Sequence, residues 1–155
     1  MAEDPVRPLN IHASCVAIGG RGVLLRGPSG SGKSDLTLRL IDSYPDCRLV
    51  SDDRTDLTTR AGTLYARAPA RIAGLLEVRG VGIVTLPFMA EAAIALLIDL
   101  VPRAAVPRLP ASEPGKSGPQ AGQSAELAGI SLPRLALHAF DAATAAKIRL
   151  ALSQF

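Results

Sequence analysis

The stretch GPSGSGKS, from Gly27 to Ser34, matches the pattern G-x-x-x-x-G-K-[ST] at every fixed position. A strand-like run, Val23-Leu24-Leu25, precedes it, and a helix-like run from Ser34 to Tyr44 follows it. Glycines let such a loop turn its N–H groups toward phosphates, and the helix adds its positive end. The octet therefore predicts a site for a nucleoside triphosphate, and ordinary loops of this composition rarely lie between a strand and a helix. The expected phosphate-binding residues are Gly27, Pro28, Ser29, Gly30, Ser31, Gly32, Lys33 and Ser34.

Two residues of this loop have defined roles in such a site. Lys33 is expected to reach the outer phosphates, and the hydroxyl of Ser34 is expected to ligate Mg²⁺. ATP and Mg²⁺ are therefore the expected cofactors.

Composition limits the classes of protein to which the chain can belong. Its 155 residues are 48% hydrophobic, which predicts a single globular domain over residues 1–155. A net charge of +3 and only 3% aromatic residues give little support to nucleic-acid binding. No apolar run is long enough to span a membrane, and no signal segment opens the chain. Cys15 and Cys47 are typical of buried thiols in a reducing compartment, so we expect a cytoplasmic protein.

The remaining pattern predicts an α/β fold around a central sheet. A hairpin is expected from His12 to Arg26, a buried strand at Cys47–Ser51 and a polar hairpin over Leu57–Arg67. The apolar run Ala92–Val101 favours a strand buried on both faces, although a buried helix fits the same pattern.

Expectations for the second half of the chain are as follows. A short helix could run from Pro69 through Leu75, and a final strand could cover Arg134–Leu137. Asp141 is expected to cap a helix that ends at Leu152. Residues 107–124 are rich in Pro, Gly, Ser and Gln and predict a mobile loop.

Two further groups of polar residues follow apolar strands. Asp52 and Asp53 end the strand LVS, where one acid could contact Mg²⁺ and the other could accept a proton from an attacking hydroxyl. Glu77 and Arg79 are separated by one residue, so an extended chain would project them in the same direction. Each group has a simpler explanation, as a solvated turn or a surface ion pair.

The order GPSGSGKS, LVSDDR and LLEVRGVGI resembles the catalytic half of the bacterial HPr kinase/phosphorylase family, over roughly residues 9–109. That family phosphorylates a serine of HPr, a phosphocarrier protein of the sugar phosphotransferase system. The resemblance implies a P-loop NTPase-type domain in its PEP carboxykinase-like variant, with a central mixed sheet flanked by helices. It also implies a homo-oligomer, a hexamer in the family, that acts on HPr. The composition, in turn, predicts neither a nucleic-acid partner nor a membrane partner.

The resemblance also implies roles for individual residues. Ser34 and Glu77 would ligate Mg²⁺, and His12 matches a histidine at the active site. Of the paired acids, we favour Asp52 as the base and Asp53 as the residue near the metal. Arg79 and Arg108 would be active-site arginines.

One segment departs from the family pattern. A proline-glycine-arginine segment tied to dephosphorylation is replaced by His138-Ala139-Phe140-Asp141. The resemblance therefore supports the kinase reaction more than the phosphorylase reaction. Two other functions remain open: a small-molecule kinase with residues 107–124 as a lid, and a nucleotide-dependent switch without transfer.

Overall fold

The computed structural model describes residues 7–109 and 124–155. Within these ranges the chain forms ten strands, two α-helices and two single 3₁₀ turns, at Ala70–Ile72 and Arg103–Ala105. The strands are β1 (Leu9–Ile18), β2 (Arg21–Arg26), β3 (Cys47–Ser51), β4 (Arg54–Arg60), β5 (Thr63–Arg67), β6 (Leu75–Val78), β7 (Gly82–Thr85), β8 (Ala92–Leu100), β9 (Ser124–Leu127) and β10 (Ile130–Leu137). The helices are α1 (Lys33–Ser43) and α2 (Thr144–Leu152).

The central sheet is mixed and has the strand order β3-β1-β2-β8-β10-β9. β2, β8 and β10 are parallel, and β1 is antiparallel to both β2 and β3. The first half of β1 leaves β3 and pairs with β4, and the β4–β5 hairpin returns to the start of β8. β6 and β7 form a separate two-stranded sheet.

This topology brings four strand ends to one edge of the sheet. Because β2, β3, β8 and β10 run in the same direction, their carboxyl ends lie side by side. Such an edge is where ligands bind in open α/β sheets. The segments that leave it include the 27–32 loop, the Asp52-Asp53 pair and the turn at residues 138–141.

The sheet has an apolar core on each face. Leu36 and Leu40 of α1 and Ile148 of α2 pack with Leu25 and Ile98 on one face. On the other face the buried residues come from strands alone, such as Leu24, Leu57, Leu97 and Leu132. Successive strand residues point to opposite faces, which is why Leu24 and Leu25 belong to different clusters. Among the described residues, the two helices that flank the sheet therefore pack on the same face.

The two cysteines are buried in separate clusters, Cys15 with the strand face and Cys47 with the helix face. Burial raises the pKa of Cys15 well above its usual range and raises the pKa of Cys47 to about 12. Both behave as small apolar side chains, as predicted. Neither helix in residues 7–109 and 124–155 has the length and hydropathy needed to cross a bilayer.

Most predicted elements are confirmed. The hairpin through Gly19-Gly20, the strand Cys47–Ser51 and the hairpin through Ala61-Gly62 all form. The run at Ala92 is strand β8, because Leu96 and Leu97 are buried on opposite faces.

Four predictions in the second half need correction. The segment after Pro69 forms one turn, and Leu75 already begins β6. Residues 110–123 of the expected loop lie outside the described residues, whereas Ser124 belongs to the β9–β10 hairpin, which the sequence did not reveal. β10 begins earlier than expected, at Ile130. Asp141 does not cap α2: its carboxylate binds Arg103, and Ala143 occupies the N-cap position without a side-chain hydrogen bond.

A charged cluster joins three neighbouring strands beside the loop. Asp99 of β8 accepts hydrogen bonds from Arg26 of β2 at 2.8 and 3.0 Å and from Arg134 of β10 at 2.5 Å. Burial of this carboxyl acts to raise its pKa, but the hydrogen bonds from Arg26 and Arg134 outweigh it and hold the pKa below the usual range. Since the folded pKa is depressed, the cluster stabilises the fold above the unfolded pKa and loses that contribution as pH falls through the folded pKa.

We expect Asp99→Asn to lower the free energy of unfolding at pH 7 by about 1–3 kcal/mol, because it removes the partly buried negative charge to which Arg26 and Arg134 donate. The difference from the unchanged protein should shrink progressively below pH ~4, because the unfolded chain takes up the Asp99 proton there and the folded chain does so only at lower pH. Urea denaturation of the variant and of the unchanged protein, at pH 7 and below pH ~4, measures this difference in the free energy of unfolding. Asp46→Asn is the control, since the Asp46–Arg149 pair lies at the surface and should matter far less. A loss that is the same at both pH values would contradict this account.

Candidate active site

The loop between β2 and α1 has a backbone that requires glycine. Gly30 and Gly32 adopt φ angles of 83° and 97°, in the left-handed region. A Cβ on Gly32 would also lie only 2.6 Å from the Cβ of Ala139. Residue 32 must therefore lack a side chain for two separate reasons.

The start of α1 presents free backbone donors to this loop. As in any α-helix, its first N–H groups have no intrahelical partner, and the N-cap residue Gly32 provides no side-chain acceptor for them. Within the loop, the Ser31 N–H donates to Pro28 O at 3.0 Å, whereas the buried Ser31 hydroxyl has no partner among the described residues. Uncapped N–H groups at a helix N-terminus are a ready site for phosphate.

Lys33 is buried and folds back over the loop. Its ammonium donates to Gly27 O at 2.7 Å and to Pro28 O at 3.3 Å. Burial lowers the pKa of Lys33, and the nearby carboxylates of Asp53 and Asp52 oppose part of that change. The lysine is thus held at the loop, with a third ammonium proton available to a ligand.

Asp52 is a buried acceptor that connects three elements. Its Oδ1 accepts from the Ser34 hydroxyl at 2.8 Å and from the Ser14 hydroxyl at 3.1 Å. Its Oδ2 accepts from the Glu77 N–H at 3.3 Å. With 7% of the residue exposed, Asp52 lies beneath the site and links α1, β1 and β6.

Asp53 differs from its neighbour because it is exposed. Its side chain is 62% accessible and accepts from His12 Nε2 at 2.7 Å. The Asp53 N–H donates to the Ser14 hydroxyl at 3.0 Å, and the residue adopts a φ of 65°, which aspartate tolerates better than most side chains. Ser14 therefore fixes both acids, and the turn directs Asp53 outward.

The loop, Lys33 and Asp53 line one pocket of ≈ 390 Å³, whereas Asp52, His12 and Ser14 lie outside its lining. Its lining residues are Ser29, Gly30, Gly32, Lys33, Ser34, Asp35, Leu38, Asp53, Glu77, Val78, Arg79 and Phe140. Arg79 lies in the turn beyond Val78, the last residue of β6, so strand alternation does not govern its direction. It nevertheless faces the same pocket as Glu77.

Some predicted site residues do not line this pocket. Arg108 is exposed and lies outside its lining, after the turn at Arg103–Ala105. Gly27, Pro28 and Ser31 belong to the loop but are absent from the pocket wall. The functional roles of all these residues remain predictions.

The donor set at the loop suits a hard cation. The Ser34 hydroxyl and the carboxylates of Asp52 and Glu77 supply oxygen ligands, which Mg²⁺ prefers. Within the described residues, no three side chains of His, Cys, Asp or Glu are grouped as metal ligands.

Sequence reasoning missed two residues of the site. Ser14 lies two positions after His12 on β1, so strand alternation was a signal that both face the same side. Phe140 follows β10, whose carboxyl end lies beside that of β8. Its place in the pocket had no local signal, because it depends on the pairing of β10 with β8.

Comparison with known proteins gives consistent matches. The model of the family described as "HPr Serine kinase C-terminal domain" matches residues 6–102. The HPr kinase/phosphorylase of Clostridium botulinum is 42% identical over 84 residues, which is 54% of this chain and 27% of that protein. That of Streptococcus thermophilus is 43% identical over 76 residues, or 48% of this chain and 24% of the relative. These matches span about a quarter of the length of the curated relatives.

A solved structure extends the likeness to nearly the whole chain. The Hpr(Ser) kinase/phosphatase from Coxiella burnetii superposes with a TM-score of 0.76, covering 94% of this chain and 95% of that one. At 24% sequence identity, this match supports a shared fold. The family model covers well over half of the chain, so the chain belongs to the HPr serine kinase C-terminal domain family.

Proposed function

We propose that this chain is a Mg²⁺-dependent kinase that transfers the γ-phosphoryl group of ATP to a serine of HPr. The observation that carries the proposal is the hydrogen bond from Ser34 to Asp52. It joins the loop to the acid pair, and Asp53 of that pair lines the same pocket as Ser34. We also propose that residues 1–155 form one P-loop NTPase-type domain in its PEP carboxykinase-like variant. The strand, glycine loop and helix in direct succession support that assignment.

The acceptor is inferred from the relatives. Those from Clostridium and Streptococcus bear the name HPr kinase/phosphorylase, and the family model matches residues 6–102, which contain the loop and both acidic motifs. A cytoplasmic location and a homo-hexameric assembly belong to the same proposal.

The chain's own residues provide binding and charge for the transfer. The free N–H groups of the loop and of α1 would bind the ATP phosphates, and Lys33 would exchange its carbonyl contacts for phosphate oxygens. Ser34, Asp52 and Glu77 would hold Mg²⁺, which neutralises phosphate charge when bound. Arg79, on the same pocket wall, would bind the phosphoryl group that is transferred.

The sequence favoured Asp52 as the base and Asp53 as the residue near the metal, whereas the contacts favour the opposite assignment. Asp52 is buried and bound to Ser34, which suits the metal side. Asp53 is exposed in the pocket and oriented by His12, whose Nε2–H donates to it because a carboxylate only accepts. We propose that Asp53 takes the proton of the serine hydroxyl while the serine oxygen bonds to the γ-phosphorus. The bond between that phosphorus and the oxygen that bridges it to the β-phosphorus breaks at the same time, and ADP leaves.

The replaced segment at residues 138–141 bears on the reverse reaction. In this chain it provides an aromatic side chain to the pocket and no arginine. We therefore expect the kinase reaction to be stronger than dephosphorylation of phosphoserine-HPr.

Incubation with γ-labelled ATP, Mg²⁺ and purified HPr should label one serine of HPr. Lys33→Ala should reduce labelling at least about 100-fold, because the outer phosphates lose their cation. Lys147→Ala, an exposed lysine on α2, is the matched control and should retain activity.

The same assay separates the other two functions. Labelling of a small molecule and not of HPr would support a small-molecule kinase. Slow hydrolysis with no labelled product would support a nucleotide-dependent switch. Either outcome would overturn the proposed acceptor.

Replacement of the two acids separately should separate chemistry from metal and nucleotide binding. Asp53→Asn should lower kcat by about 10²–10⁴-fold with little change in ATP affinity, because a general base is lost. Asp52→Asn should weaken Mg²⁺-dependent ATP binding as well as turnover. Steady-state kinetics and calorimetric titration of ATP measure these effects, with the exposed Asp42→Asn as control. If Asp52→Asn alone lowered kcat at unchanged affinity, Asp52 would be the base.

A further inference from the structure

Phe140 is an exposed aromatic side chain in an unusual place. It is 55% exposed, lines the pocket and lies against the phosphate loop. A Cβ on Gly32 would meet its Cζ at 2.9 Å, so the ring reaches the loop backbone itself. An aromatic ring in water beside a loop that binds phosphates has no role in the transfer chemistry described above.

The turn that carries this ring is firmly held. Arg39 of α1 donates to Ala139 O and, at 3.2 Å, to Asp141 O. Arg103 binds the Asp141 carboxylate at 2.7 Å, and the His138 Nδ1–H donates to Val101 O at 2.9 Å. The ring of Phe140 also makes an edge contact with His138, with centroids 5.8 Å apart. An aromatic group fixed in this way loses little conformational freedom when a ligand packs on it.

The topology puts this ring and the acids on opposite sides of the loop. In the order β3-β1-β2-β8-β10, the loop follows the central strand β2. Asp53 follows β3, two strands away in one direction, and Phe140 follows β10, two strands away in the other. With neighbouring strands ~4.8 Å apart, each is offset by roughly 10 Å from the loop strand.

The parts of a nucleoside triphosphate follow the same order along the molecule as the acids, the loop and Phe140 follow along the sheet edge. Its γ-phosphate must face the acids and the acceptor, its phosphates lie on the loop, and its base extends the other way. The ring that the fold holds on that other side presents a flat apolar surface, on which any nucleobase can stack.

We propose that Phe140 is the stacking surface for the nucleobase of the phosphoryl donor, so that the donor is a nucleoside triphosphate in preference to an inorganic polyphosphate. The proposal rests on the proposed function for the position of the γ-phosphate. It assigns a specificity-determining role to a residue that is neither in the loop nor among the acids.

Calorimetric titration of ATP and of inorganic tripolyphosphate, both with Mg²⁺ and without HPr, tests the proposal. The unchanged chain should bind ATP at least about 10-fold more tightly than tripolyphosphate. Phe140→Leu, which keeps the apolar volume, should weaken ATP binding about 10-fold and leave tripolyphosphate binding unchanged. Phe140→Tyr, which keeps the aromatic face, should bind both as the unchanged chain does.

Equal affinities of the unchanged chain for the two ligands would overturn the proposal, and this measurement requires no variant to fold. An equal loss for both ligands in Phe140→Leu would also overturn it, since the ring would then only support the loop. Transfer to HPr is assayed separately. Preferential binding of ATP without transfer to HPr would support the stacking surface and overturn HPr as the acceptor. Transfer to HPr without preferential binding of ATP would support the acceptor and overturn the stacking surface.

Discussion

The hydrogen bond between Ser34 and Asp52 is the interaction on which the candidate site depends, because it connects the glycine-rich loop at residues 27–32 with the acidic motifs. At 2.8 Å it ties the first turn of α1 to the end of β3, although β1 separates β3 from the loop strand β2 in the sheet. The same carboxylate accepts the Glu77 N–H, so the separate β6–β7 sheet is attached at this point too. This buried acceptor therefore adds a direct polar link among α1, β3 and β6 at the pocket.

Ser14 has a comparable effect on the acid pair. One hydroxyl donates to Asp52 and accepts from the Asp53 backbone, so the two adjacent acids are held in different environments. Asp52 is buried and Asp53 is open to the pocket, although they are neighbours in sequence. Two chemically identical side chains thereby become suited to different tasks, and the difference comes from their surroundings alone.

The sequence predicted best those elements that are specified by residues within one short segment. The octet at Gly27–Ser34, the strand at Cys47–Ser51 and the turn at Gly62 each carry their own spacing or backbone requirement. The β9–β10 hairpin was missed because its strands follow a segment rich in Pro and Gly that masked their weak alternation. Asp141 looked like a cap, but a cap depends on the backbone angles of the following residues, and here the ion pair with Arg103 takes the carboxylate.

The candidate site was predictable to the extent that its residues are in motifs. Lys33, Ser34, Asp53, Glu77 and Arg79 all line one pocket. The predicted catalytic residues that do not line it are Asp52, His12 and Arg108. The burial of Asp52 and the exposure of Asp53 were not accessible from sequence, since they depend on contacts with Ser14 and His12 across strands.

The contact between Gly32 and Ala139 has a consequence for divergence within the family. Ala139 is almost fully enclosed, and its methyl group occupies the space that a side chain at position 32 would need. The two positions therefore limit each other's volume. Consider a hybrid chain with its loop from one homologue and the turn after β10 from another. It would pack without a clash only if the loop kept a small residue at position 32 and the turn kept one at position 139.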